Sequence, residues 1–267
     1  MTAATTELSL PSSMWRAFRA ILWRDLFVTG KEFWVFLVQV ALQPLFMLFI
    51  FAKVLGAGGY VTDSYAHLLL PGIVALTAFL TALQTVSFPL IMEFSFTKEI
   101  EDRLLAPLPT AMVAVEKLVL AVMRALVAAA LIFPIGALML GSAPWNPDGV
   151  WVLALALPLG CWVGSAIGLC IGTLVPPARI SIMFALILTP LMFTGATQYP
   201  WMSLESLQWF QVVTAFNPLT YLSEAVRGAL VPEVPHIAPG ICLAVMVVAG
   251  AIFTAIGIRG FMRRAIS

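Results

Sequence analysis

Six long apolar runs divide the chain, at roughly residues 33–52, 68–92, 112–140, 150–174, 180–196 and 238–258. A helix crosses the hydrocarbon core of a bilayer with about 20 mostly apolar residues, so each run predicts a transmembrane helix, the fifth being short. Within the runs hydrophobic residues follow one another and do not alternate with polar ones. That pattern suits membrane helices, whose backbone bonds are satisfied internally, and not barrel strands. The expected fold is therefore an all-α polytopic membrane protein, with residues 1–267 forming a single transmembrane domain.

Three mixed segments lie between or before the runs. In 13–30, SMWRAFRAILWRDLFVTG, Trp15, Phe18, Leu22 and Leu26 fall on one helical side and Arg16, Ala20 and Arg24 on another. Ser12 or Ser13 can cap this helix, and cationic residues opposite aromatic ones suit the headgroup layer. In 93–110, EFSFTKEIEDRLLAPLPT, six of the first eleven residues are charged: Glu93, Lys98, Glu99, Glu101, Asp102 and Arg103. Phe96, Ile100 and Leu104, spaced by four, give an apolar stripe, and Pro107 and Pro109 stop the helix, so a short amphipathic helix is expected over 94–105. A mixed-charge helix projecting from an apolar protein suits docking to a soluble partner. In 199–230, Pro200 and the Asn217-Pro218 pair divide a semi-apolar stretch into two short pieces, read as helices dipping into the outer leaflet. Glu224 and Arg227, three apart, can pair on the second piece.

The fourth run carries Gly160, Gly164, Gly168 and Gly172, spaced by four. They form a ridge without side chains where another helix can approach closely. Pro134, Pro158 and Pro190 sit inside runs and invite kinks. Trp162, Phe184 and Phe193 are read as packing residues.

Composition agrees with this architecture: 61% of residues are hydrophobic, 10% are charged and the mean hydropathy is +1.02. The few cations are informative. With the N-terminus in the cytoplasm, eleven Lys and Arg fall on the cytoplasmic side against two, Lys53 and Arg227, outside, while Arg124 lies in the third span. This bias places both termini and 93–110 inside. Arg16, Arg19, Arg24 and Asp25 break any apolar core of a signal peptide. Cys161, Cys170 and Cys242 fall within spans, and His67 and His236 stand alone, so no metal site is expected. The one Gly-Lys pair, Gly30-Lys31, continues with Glu32 and makes no phosphate loop, so no cofactor is expected on this chain. An ion-coupled secondary transporter, the alternative class, would place ionisable groups in mid-membrane; here Glu116, Lys117 and Arg124 lie early in the third span. An intramembrane enzyme would need a polar catalytic cluster, which the spans lack.

Two stretches, FTKEIEDRLLAPLPT after the second span and FNPLTYLSEAVRGAL before the last, resemble the membrane subunits of type-2 ATP-binding-cassette exporters, the ABC-2 permease family, including daunorubicin-type drug exporters and lipo-oligosaccharide exporters. The resemblance implies a non-catalytic permease subunit in a bacterial cytoplasmic membrane, exporting amphipathic drug, lipid or lipid-linked glycan cargo. ATP and Mg would be bound by a partner ATPase subunit, and a second permease, identical or paralogous, would complete the pathway; no nucleic acid is involved. It makes 94–105 a coupling helix whose Phe96, Lys98, Glu99, Ile100, Glu101, Arg103 and Leu104 meet the ATPase. It makes 13–30 an interface helix carrying Trp15, Arg16 and Arg24. The helices of 199–230, with Asn217, Pro218, Glu224 and Arg227, would be re-entrant and close the exit.

The charge bias predicts that an impermeant thiol reagent applied to whole cells labels a Ser64→Cys variant and not Ser95→Cys. The opposite pattern would invert the topology.

Overall fold

The structure, a computed structural model, describes residues 10–60, 63–97, 108–141, 143–176 and 179–266. Helix α1, Leu10–Lys31, leads almost directly into α2, Phe33–Leu48, which continues through a wider π-type stretch, Phe49–Val54, to Ala57. Helix α3, Asp63–Met92, likewise continues in π-type turns through Thr97. Helix α4 spans Thr110–Leu140, and ends where Gly141 takes a left-handed φ of 77° that a residue with a Cβ resists. Helices α5, Val150–Leu174, and α6, Ile180–Phe193, follow. After a 3-10 segment, Trp201–Leu207, come α7, Gln208–Ala215, α8, Pro218–Leu230, and α9, Pro239–Ile266.

Five of these segments are long and apolar enough to span a bilayer: Phe33–Ala57, Leu68–Ser95, Thr110–Leu140, Pro147–Leu174 and Pro239–Ala265. The expected fifth run differs. It forms only 14 helical residues, and the chain leaves the helix at Thr194 although the sequence stays apolar through Ala196. The second expected difference is at 94–97, which continue α3 and do not open a separate helix. The third is at 199–230, where three pieces replace two.

Helix α3 is the centre. Residues 69–80 are all buried, and it packs on α4, α5, α8 and α2. The window of its span is 83% buried, against 22% for α9 and 18% for α2, which leave apolar residues such as Val247, Val248 and Ile252 or Val35, Val38 and Leu42 exposed for lipid or for another chain. Close packing of α3 on α5 rests on the four-spaced glycines. A Cβ at Gly164 would stand 2.6 Å from the Phe79 carbonyl oxygen, one at Gly168 would run into the Leu83 carbonyl, and one at Gly172 would sit 2.9 Å from the Leu90 Cβ. Gly160 instead receives the Leu222 side chain of α8. Trp162 donates to the Thr254 hydroxyl at 3.0 Å, joining α5 to α9, and Phe184 stacks on Phe88 at 4.5 Å, while Phe193 is exposed.

Because Gly168 abuts backbone, Gly168→Ala cannot be accommodated by a rotamer change and must part α3 from α5, at a cost of about 1–3 kcal/mol. We expect a lowered melting temperature for the purified chain. Gly240→Ala, at a helical glycine with open space around it, should leave the melting temperature unchanged or slightly raised.

Candidate functional site

One end of the bundle is organised by irregular backbone. Helix α6 ends with the Thr194 N–H on the Pro190 carbonyl, and the carbonyl oxygens that follow, several of them buried, need other donors. Helix α8 supplies them. The Asn217 amide donates to the Leu191 carbonyl at 2.8 Å and to the Thr194 hydroxyl at 2.9 Å. The Thr220 hydroxyl lies 3.1 Å from the Thr194 carbonyl, the Ser223 hydroxyl donates to the Gly195 carbonyl at 2.7 Å, and Arg227 Nη2 donates to the Ala196 carbonyl at 2.8 Å. The Tyr65 hydroxyl of α3 reaches the Gln198 carbonyl at 3.1 Å. Burial raises the Tyr65 pKa, with the Arg227 charge opposing, which keeps this hydroxyl protonated and able to donate at neutral pH. Ala196 adopts a φ of 49°, and the Thr197 carbonyl sits directly on Gly72 of α3, where a side chain would collide.

Local sequence explains why α8 is placed to do this. The Asn217 side chain caps the helix by accepting from the Leu219 N–H at 2.9 Å, and Pro218 occupies the first turn, where a missing N–H costs nothing. Residues 217, 220, 223/224 and 227 recur at three to four, so one face of α8 carries all the polar groups that it contributes. Glu224 and Arg227, both fully buried, form an ion pair across one turn. Glu224 also accepts from the Trp201 N–H at 3.0 Å and the Ile237 N–H at 3.1 Å. The pair therefore ties the 3-10 segment, α8 and the start of α9 to the 194–198 turn. Gly149 at the head of α5 allows the Ala229 carbonyl close approach, and Gly228 receives the His236 ring.

The opposite end of the bundle is tied by charge. Lys117 of α4 places its ammonium 2.7 Å from the Glu93 carboxylate at the end of α3, both residues buried. Arg264 of α9 donates to the Gly172 carbonyl at the end of α5 and to the Ser95 hydroxyl, each at 3.0 Å, and its guanidinium lies 5.0 Å over the Phe94 ring. Phe94 in turn meets Phe261 edge-on at 5.4 Å. Four helices thus converge on the stretch from which the charged segment departs.

Of the residues singled out in that segment, Phe96 lies in the π-type continuation of α3, and Lys98, Glu99, Ile100, Glu101, Arg103 and Leu104 lie outside the described residues. On α1, which packs along α4, Trp15 stacks on buried Phe18 at 5.5 Å; Trp15, Arg16 and Arg24 are exposed. The sequence reading brought Glu224 to Arg227. It missed Thr220, Ser223 and the 194–198 carbonyls they serve, and it missed the Glu93–Lys117 and Arg264–Ser95 links, which join residues 24 and 169 apart.

The family model described as ABC-2 type transporter matches residues 16–231, from α1 to just past the end of α8. No curated protein matches the chain.

Removing Arg227 would leave Glu224 as a buried, uncompensated carboxylate and orphan the Ala196 carbonyl. Loss of one partner of a buried pair costs about 3–5 kcal/mol, so Arg227→Ala should lower the melting temperature far more than Ser223→Ala, which loses a neutral hydrogen bond worth about 0.5–1.5 kcal/mol. Arg227→Met with Glu224→Gln should recover part of the loss. Equal melting of Arg227→Ala and the wild type would show that the pair does not hold this end.

Proposed function

The chain belongs to the ABC-2 type transporter family, and from that premise we propose that it is the permease subunit of an ATP-driven exporter. The family makes it a membrane-spanning transporter component. Beyond that, the proposal is that ATP hydrolysis occurs on a separate ATPase subunit, that a second permease, identical or paralogous, completes the pathway, and that amphipathic drug, lipid or lipid-linked glycan cargo moves outward across a bacterial cytoplasmic membrane. The observation that carries the reading is the family match over 16–231.

Structural features support the finer statements. In this proposal the end holding Glu93, Lys117 and Arg264 is cytoplasmic and the opposite end, with the 194–198 turn and α8, is external; the Lys/Arg bias supports it. The charged segment 98–107 stands in sequence between α3 and α4, whose adjoining ends are held by Glu93–Lys117 and by Arg264. A push on that segment by a docked ATPase would act on α3, the most buried of the five spans, and through it on α4, α5 and α9. Glu99, Glu101 and Arg103 would orient the docking, and Phe96, Ile100 and Leu104 would seat against protein. The same α3 carries Gly72 and Tyr65 against the outer turn, so one rigid element joins the proposed input to the proposed exit seal.

The docking is tested by charge reversal. A single exposed ion pair is worth about 0–1 kcal/mol, so Glu99→Ala should only loosen the complex. Glu99→Lys with Glu101→Lys adds repulsion and should abolish co-purification with the ATPase and transport in proteoliposomes, while the permease still inserts and melts normally. Normal binding and transport by the double variant would show that this segment is not the docking site.

A further inference from the structure

A cavity of about 220 Å³ opens between α2 and α3 and reaches α4. Its lining is unusual for a membrane bundle. Gln39 and Gln43 come from α2, Thr81, Gln84 and Thr85 from α3, and Arg124 from α4. Gln39 and Gln43 lie about 9 and 15 Å along the helix from Phe33 at 1.5 Å per residue, which puts the polar wall in the half of the membrane nearer the Glu93–Lys117 end. Arg124 is the one Lys or Arg that the charge count assigns to neither side of the membrane. Its guanidinium lies 4.8 Å from the Phe36 ring, and its Nε is buried without a hydrogen-bond partner. Among acidic groups, Glu32, at the exposed junction of α1 and α2, acts on it through its charge.

This arrangement has an energetic direction. An arginine within a helix span is costly even on the lenient insertion scales. Phe36 offsets part of that through a cation–π contact, and Glu32 contributes at longer range. Neither gives the guanidinium fork an oxyanion, the partner its planar donors fit best. Amides of three glutamines along the same wall can donate to the remaining oxygens of such a group or to hydroxyls attached to it. The wall is flanked by apolar residues of α2 and α3, among them Ile73, Leu76 and Leu80, which suit a chain and not a free ion.

We propose that this cavity holds the anionic headgroup, a phosphate or carboxylate, of an amphiphile drawn from the cytoplasmic half of the membrane, with Arg124 as the oxyanion-binding residue and Gln39, Gln43 and Gln84 as its hydrogen-bonding wall. The proposal deepens the transporter reading by naming the chemical class of its cargo. It separates acidic amphiphiles from neutral and cationic ones.

The test is binding of monododecyl phosphate to the purified chain in a neutral maltoside detergent, by titration calorimetry, with inorganic phosphate and dodecyl glucoside as the other arms. Saturable binding of monododecyl phosphate is expected, at least tenfold tighter than either comparison. Arg124→Gln should weaken it at least tenfold, Arg124→Lys should restore part, and Arg263→Gln, outside the cavity, should change nothing. If Arg124→Gln does not fold, Gln43→Leu with Gln84→Leu carries the test, with at least a fivefold loss expected. Equal binding of dodecyl glucoside, equal binding of inorganic phosphate, or wild-type binding by a folded cavity variant would each overturn the proposal. The measurement needs no ATPase, so a failure of ATPase docking leaves its outcome intact, and a failure here leaves the permease reading intact.

Discussion

The carbonyl oxygens between Leu191 and Gln198 set the terms for the rest of the structure. A chain that leaves helical geometry inside a bilayer must find a donor for each carbonyl within the protein. Here the donors include Asn217, Thr220, Ser223 and Arg227 on one face of α8, Tyr65 on α3, and Thr197 and Tyr199 within or beside the turn itself. Everything at this end follows from that requirement. Helix α8 must lie against the turn, so Gly149 and Gly195 must be small where α8 meets them; α3 must lie beneath it, so Gly72 must be bare. Arg227 must be buried to reach Ala196, so Glu224 must be buried beside it.

The other end is fastened by charge as well. Glu93–Lys117 and the several contacts of Arg264 hold the ends of α3, α4, α5 and α9 together. Between the two ends the glycine ridge of α5 brings its backbone against that of α3. Helix α3 is therefore fixed at both ends and along its length, whereas α2 and α9 keep largely exposed apolar faces. Helix α3 thus links the polar fastenings at the two ends.

Much of this was legible in the sequence, and the limits have physical causes. Hydropathy located the five long spans because a membrane helix must be apolar over its whole length. Asn217-Pro218 marked a break between two short pieces because proline cannot continue a helix from before it; that Asn217 caps the second piece is seen only in the structure. The four-spaced glycines pointed to close packing because bare backbone on one helical stripe has that use. Hydropathy did not show that the fifth run leaves the helix at Thr194, since Gly195 and Ala196 are as compatible with a span as with a turn; the difference lies in donors on a helix more than 20 residues later. Nor did spacing reveal Glu93–Lys117 or Ser95–Arg264, which meet only because helices distant in sequence pack side by side. The charged segment stood out by composition, and its residues from Lys98 on lie outside those described.

The account stands most directly on the conformation of residues 191–198 in a bilayer. A cryo-electron-microscopy map of the chain in lipid nanodiscs, detailed enough to trace carbonyls, would decide it. The account predicts that α6 ends at Phe193, that the Gly195 and Ala196 carbonyls point at Ser223 and Arg227, and that Glu224 and Arg227 are paired and dry. A helix continuous through Gln198, with Arg227 turned to water, would contradict it.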